Sequence, residues 1–323
     1  GTIRSPLKTH LVCGLPTFRP QPVSLETIGD ERAREVLSQA DMLDCQIFCL
    51  WSGGIDSTLA LVSLLKQATP AQRTRLCVLI SSDSLVEYRR FFYEHIHTKL
   101  QVITGSALPA ILGSKDILVS GEGNDLLFGA DIMVRFIADF GPTTISEAYD
   151  RAHVASVFGE SLHDPSITDF YVSLFERLLP ASPIPLTTTY DFLWWVNFCL
   201  KWQSIGHRML TYVAPTRQHM IDRTYVEKRY FPFFMTNDFE LWSLNNHDKK
   251  IRDTWESYKW PCKEIIYRFT KDADYFESKT KHGSLGSLLR YRNSALMVAS
   301  DFTVRTSMDL AEYYVPENDF RIR

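Results

Sequence analysis

The chain alternates short apolar runs with stretches in which apolar positions recur every three or four residues. Residues 45–51, 76–82, 101–103 and 116–120 are apolar runs of the length of buried strands. Residues 30–43, 57–67, 85–99 and 126–140 carry helical spacing; in the first, Ala33, Val36, Leu37, Ala40 and Leu43 share one face behind an acidic first turn. Such alternation predicts an α/β fold with a doubly wound, mostly parallel sheet and ligands at the carboxyl ends of its strands. From about Thr144 the strand signals fade, and residues 144–158, 168–179, 190–203, 238–244 and 285–300 all read as helices. Pro180-Ala-Ser-Pro-Ile-Pro185 interrupts them as a rigid loop. Pro6, Pro16, Pro20 and Pro22 mark the start as an extension laid over the body. The organisation expected is an extension plus helix at 1–44, an α/β core at 45–140 and a helical region at 141–323.

Composition narrows the classes without suggesting chemistry. With 323 residues, 45% hydrophobic and 23% charged, the chain is neither disordered nor a disulfide framework. A net charge of −3 gives no polybasic footprint, which argues against nucleic acid as the main partner. No cysteine pair stands at Cys-x-x-Cys spacing; Cys45 and Cys49 lie in an apolar run and read as buried reduced thiols. The nine histidines show no metal-ligand spacing. The longest apolar stretch, residues 192–200, is too short to span a bilayer and contains Asn197. No basic-then-apolar segment opens the chain, so the expected setting is soluble and cytoplasmic, without membrane.

Candidate chemistry sits in two loops. Leu50-Trp-Ser-Gly-Gly-Ile-Asp-Ser57 follows the first strand and opens a helix. Gly53 and Gly54 let the backbone turn tightly and present bare N–H groups to an anion, the helix start adds positive charge, and Ser52, Ser57 and Thr58 offer hydroxyls. Asp56 would repel phosphate unless Mg²⁺ bridges the two; otherwise the segment is a turn with Ser and Asp as caps. Ser120-Gly-Glu-Gly-Asn-Asp-Leu-Leu-Phe-Gly129 follows the fourth strand. Here Gly121 and Gly123 permit close approach, Asp125 is a second carboxylate for the same ion, and Glu122 is a candidate proton acceptor.

The first loop resembles the pyrophosphate-loop motif Ser-Gly-Gly-x-Asp-Ser of the ATP pyrophosphatases, which cleave ATP between the α and β phosphates. It lacks the Walker A lysine. With the second loop, the chain resembles asparagine synthetase, whose motif there reads Ser-Gly-Glu-Gly-x-Asp-Glu-x-Phe-Gly-Gly; Leu126 and Ala130 are the departures. In β-lactam-forming relatives the position of Glu122 looks like Tyr, so its presence favours ordinary amide formation. Glu227-Lys-Arg-Tyr-Phe-Pro-Phe-Phe234 is similar to the family's Glu-x-Arg-x-Pro-Phe-Leu-Asp with one residue inserted, and Met235 replaces the Asp. Phe239-Glu-Leu-Trp-Ser-Leu244 and Lys250-Ile-Arg252 continue the resemblance. Lys259-Trp-Pro-Cys-Lys263-Glu264 fits Lys-x-x-Leu-Arg-Glu, which makes Lys259 the candidate charge-stabilising lysine and Lys263 a point charge in place of a fork.

The resemblance spans roughly residues 45–271 and implies a HUP-like pyrophosphate-loop fold. It implies an ATP-dependent ligase with ATP and Mg²⁺ as cofactors. Asp56 and Asp125 would hold the metal. Ser52, Gly53, Gly54, Ser57 and Lys259 would cradle the phosphates, Ser120 would belong to the nucleotide site, and Leu50, Ile80 and Gly121 would line adenine and ribose. Glu122 would steer the proton of the nucleophile, with Glu227 a secondary positioning residue. The expected partners are a small carboxylate and ammonia or an amine. Cys13-Gly14 stands too near the first loop to open a glutaminase domain, so a separate protein is a possible nitrogen source. Three alternatives stay open: amine–carboxylate ligation on a modified base, peptide or natural product; transfer-RNA lysidine formation; and a non-catalytic ATP-binding relative. Trp194-Trp195 with Phe192 and Phe198 reads as core rather than a cofactor box. Asp83 and Glu87, after the second strand, and the run Lys249-Lys-Ile-Arg-Asp253 fit either a ligand or a solvated surface.

Overall fold

A computed structural model describes residues 17–129, 132–201 and 205–279, and the backbone of residues 297–298 and 304–305. Five parallel strands form one sheet: β1 (Ile47–Leu50), β2 (Leu76–Ile80), β3 (Gln101–Thr104), β4 (Ile117–Ser120) and β5 (Tyr230–Pro232), in the order β3-β2-β1-β4-β5. Register is set at the centre, where Ile47 pairs with both Leu76 and Ile117. The strand runs are continuously apolar because both faces are covered. Ile47, Cys49, Val78, Ile117, Val119 and Phe231 pack on one side, against α1 (Leu25–Leu43), α2 (Ile55–Gln67) and α12 (Trp260–Thr270). Phe48, Leu50, Leu79, Leu118 and Tyr230 face the other, against Leu108, Ile111, Met209 and Tyr225. Alternation along β1 thus sorts its side chains between two cores. Burial pushes the Cys49 thiol up to about 12.

The chain runs outward from β1 to β3, then crosses back to β4 and β5. The order therefore reverses between β1 and β4, and a crevice opens there at the carboxyl ends of the two strands. Residues 51–54 and 121–123 leave the sheet beside each other at this point.

Several expected boundaries shift. The first helix begins at Leu25, not at residue 30, because Ser24 caps it by accepting from Thr27 N–H. The helix expected over 85–99 is broken: α3 (Ser82–Glu87) stops where Tyr88 leaves helical geometry and stacks on Tyr275, and a π turn covers Phe92–Ile96. The helix expected over 126–140 divides at Gly129 (φ 107°) into α4 (Asn124–Phe128) and α5 (Met133–Phe140). The fifth strand lies within the region expected to be largely helical.

Further helices are α6 (Arg151–Leu162), α7 (Pro165–Glu176), α8 (Thr189–Lys201), α9 (Ile205–Arg208), α10 (Arg223–Arg229) and α11 (Asn237–Asn245); α13 (Ala273–Ser278) follows α12, and single turns cover Pro70–Arg73, Arg89–Phe91 and Leu108–Ile111. A second apolar cluster joins α5 through α8, with Phe136, Val154, Val172, Phe192, Trp194 and Trp195 at its centre. Cys13-Gly14, Ala130 and the helix expected over 285–300 lie outside the described residues, except that Met297–Val298 is strand. Among the described residues no helix is long and apolar enough to cross a membrane.

Candidate functional site

The crevice between β1 and β4 is a cleft lined by Leu50, Ser52, Gly54, Asp56 and Ser57 from the first loop and by Ser120, Gly121, Glu122, Gly123 and Asp125 from the second. Ile55, Ile205, Arg208, Lys259, Glu87 and Lys279 complete it. Ten of the first-loop and second-loop candidates therefore share one cavity with Lys259. Gly53 and Ile80 are not among the lining residues. Gly53 (φ 78°) turns toward α3, where a Cβ would stand 2.5 Å from the Ser84 carbonyl oxygen, and Ile80 is buried in the core beside α2. Glu227 is also outside: it is exposed on α10 and pairs with Arg223 four residues earlier.

The two loops touch through glycine. A Cβ on Gly121 would lie 2.7 Å from Ser57 N and 2.9 Å from the Asp56 carbonyl carbon, so the side-chain-free position lets β4 deliver its loop against the first turn of α2. That turn has Gly54 as N-cap and no side-chain cap, which leaves its first N–H groups to a ligand or water. The loop hydroxyls are pre-arranged: Ser52 N–H donates to Ser57 Oγ at 3.0 Å, and Ser52 Oγ lies 3.0 Å from the same oxygen.

Lys259 joins the loops electrostatically. Its ammonium donates to Asp56 Oδ1 and Oδ2 at 2.6 and 2.7 Å and to Asp125 Oδ1 at 2.8 Å. The lysine is 1% exposed. Burial alone would push its ammonium down, but the Asp125 and Asp56 carboxylates hold it well above the ordinary lysine value. Its backbone is left-handed (φ 60°, ψ 31°) at the start of α12, tied by its N–H to the Lys250 carbonyl at 3.1 Å. Asn124 donates to Asp56 Oδ1 at 2.6 Å, fixing that carboxylate from the other side. Asp56 and Asp125 are the pair that could hold a divalent cation; no group of three or more His, Cys, Asp or Glu suited to a metal occurs among the described residues. A small hard ion that keeps waters and shares phosphate oxygens needs no more than two such carboxylates, so the donor set fits magnesium.

Glu122 forms the opposite wall. Arg208 Nε and Nη2 donate to its Oε1 at 2.9 and 2.8 Å, and the Tyr230 hydroxyl donates to Oε2 at 3.0 Å. Burial raises the Glu122 carboxyl above the usual carboxylate range, with Arg208 and Tyr230 opposing it. At a third corner Lys279 pairs with Glu87 at 2.8 Å. Arg208, Tyr230 and Lys279 were not singled out in the sequence, and Glu87 only as an undecided position. Arg208 and Lys279 reach the cleft from distant segments, Tyr230 touches Glu122 from β5, and no local pattern in the sequence marks any of them.

The second loop is braced from behind. Short α4 ends in carbonyls with few partners inside the helix, and one face of α8 supplies further donors, although the Asp125 carbonyl also accepts from Gly129 N–H at 3.1 Å and that of Leu127 from the Ser243 hydroxyl at 2.7 Å. Asn197 donates to the Asp125 carbonyl at 2.7 Å, Trp194 Nε1 to that of Leu127 at 3.1 Å, and the Tyr190 hydroxyl to that of Phe128. These residues stand at i, i+4 and i+7 on the helix, so Trp194 is core with a structural hydrogen bond. The run 249–253 turns away from the cleft. Lys250 is buried over the Trp194 ring and bonded to His247, and Arg252 stacks on Trp260. Lys263 also points elsewhere, to the Glu256 carbonyl at 2.6 Å.

In comparisons with protein-family models and with curated proteins, the chain matches none.

Proposed function

We propose that the protein is an ATP-dependent amide synthetase of the asparagine-synthetase type, on a HUP-like pyrophosphate-loop fold. The carboxylate of a small acid would attack the α-phosphorus of ATP and displace pyrophosphate, and ammonia or an amine would then attack the acyl carbon and release AMP. One observation carries the reading: two loops far apart in sequence converge on one cleft, with Asp56 and Asp125 on the same lysine and Glu122 across from them.

Each residue then has a chemical task. The uncapped start of α2 and the Ser52 and Ser57 hydroxyls bind phosphate oxygens. Lys259 and Lys279 supply positive charge where pyrophosphate charge builds up. Asp56 and Asp125 would hold magnesium, which when bound neutralises the leaving phosphates. Glu122, kept in place by Arg208 and Tyr230, takes the proton of the attacking nitrogen; its raised pKa makes it the stronger base. Asn124 holds Asp56, and Asn197 holds the Asp125 backbone, so the carboxylates keep their spacing.

The test is pyrophosphate release from ATP with magnesium and a panel of acids and amines, comparing wild type with Asp56→Ala. Substrate-dependent release by the wild type alone, with an amide of the expected mass, supports the reading. Equal background in both proteins across the panel removes it.

A further inference from the structure

An ammonium carries three N–H donors and no more. All three of Lys259 are spent on Asp56 Oδ1, Asp56 Oδ2 and Asp125 Oδ1, at 2.6, 2.7 and 2.8 Å. In this arrangement the lysine has nothing left for a phosphate, and the two carboxylates share it as one counter-ion. Three of the four carboxylate oxygens that a divalent cation could take are ones the ammonium contacts. A cation arriving alone meets a positive charge buried within hydrogen-bond distance of its own ligands, where screening by water is weak.

We infer that Lys259 is a built-in counter-ion that keeps free divalent cations off the Asp56–Asp125 pair until a polyphosphate arrives to take over the ammonium. This rests on the reading of the two carboxylates as the metal pair. The side chains of Asp56 and Asp125 are 24% and 20% exposed, so a metal can reach them from the cleft, whereas Lys259 approaches from the protein side at 1%. The lysine's backbone is anchored to Lys250 and begins α12, so only its side chain exchanges partners. A polyphosphate brings several negative charges to the Ser52–Ser57 loop. It draws the ammonium off the carboxylates at the moment the metal replaces it. Metal and nucleotide therefore enter together, and without a metal the ammonium offsets half of the charge of the carboxylate pair.

Mn²⁺ alone is the probe, titrated into nucleotide-free protein and followed by the loss of the free-ion electron paramagnetic resonance signal. Lys259→Met binds Mn²⁺ at least tenfold more tightly than wild type, and Asp125→Asn added to Lys259→Met abolishes the gain. Equal Mn²⁺ affinity of wild type and Lys259→Met overturns the inference, as does no binding by either. If Lys259→Met fails to fold, Lys259→Gln takes its place. The wild-type titration also stands by itself, since micromolar Mn²⁺ binding by the nucleotide-free wild type overturns the inference whatever the variants do. Pyrophosphate release by the wild type is measured in parallel. Its absence alongside the expected Mn²⁺ result removes the synthetase reading and leaves the counter-ion standing, whereas release with the opposite Mn²⁺ result does the reverse.

Discussion

Replacing Gly121 with alanine probes the joint on which the cleft depends. The new methyl would stand 2.7 Å from Ser57 N and 2.9 Å from both the Asp56 carbonyl carbon and Ser57 Cα, where ordinary contact begins at 3.4 Å. All three are backbone atoms in the first turn of α2, so no rotamer change can make room. Either that turn or the second loop must retreat by several tenths of an ångström. Overpacking of this kind costs about 1–3 kcal/mol. Melting should fall by roughly 2–4 °C for each kcal/mol lost, and by less if the size trend continues to this length. The retreat also separates Asp56 from Asp125, and misplacement on this scale lowers activity by roughly tenfold to a hundredfold. Gly54→Ala is the control. Its methyl meets only the ends of two side chains, Ser52 Oγ at 3.3 Å and Glu87 Oε1 at 3.4 Å, and its φ of −73° suits any residue. The cost there should stay within about 0.5 kcal/mol. Thermal unfolding by circular dichroism, with ATP binding by calorimetry, compares the two variants. Equal melting of both, or greater damage from Gly54→Ala, would refute the steric argument.

Asn197→Ala removes one of the two donors to the Asp125 carbonyl, leaving Gly129 N–H at 3.1 Å, and should cost about 0.5–1.5 kcal/mol in urea unfolding; an unchanged midpoint counts against the brace from α8. In Arg208→Met the burial that raises the Glu122 carboxyl loses its main opposing charge. The acid limb of the rate profile should therefore move to higher pH, and Lys at 208 should move it partly back; a limb that stays put excludes Glu122 as the titrating base. Lys263 is lowered to about 8, first by burial and then by Lys279. The unfolded chain keeps that proton up to the ordinary value of 10.5, so between pH 8 and 10.5 the folded state binds fewer protons and stability rises with pH. Lys263→Met should flatten this rise, read from urea midpoints at pH 7 and pH 10, and parallel slopes for the two proteins would contradict it.

The parts legible along the chain are those with local causes. Apolar runs of four or five residues mark β1, β2 and β4, and glycine pairs with flanking hydroxyls mark the turns that follow β1 and β4. The fifth strand escaped because its three residues end in Pro232. Proline is tolerated only where a ladder needs no further N–H, and β5 lies at the sheet edge. Breaks at Tyr88 and Gly129 escaped for another reason. Each lies inside a helical pattern, and each is set by a distant partner: Tyr275 stacks on the first, and Tyr258 donates to the carbonyl of the second. Motif likeness also misled once. Glu227 sits in a familiar string, yet its helix ends before β5 begins and leaves the carboxylate in solvent with Arg223.

By itself the sequence determined the α/β alternation, the two glycine loops, and the acidic residues Asp56, Glu122 and Asp125 that they carry. Spacing and side-chain type act over a few residues and need no partner to be read. Tertiary structure alone decided that the chain reverses its strand order between β1 and β4 and so brings the loops together. It alone decided that Lys259 spends its three donors on both carboxylates, and that Arg208 and Tyr230 hold Glu122. Those contacts join residues up to 203 apart in the chain, and a charge finds its counter-charge through space, where no local pattern records the pairing.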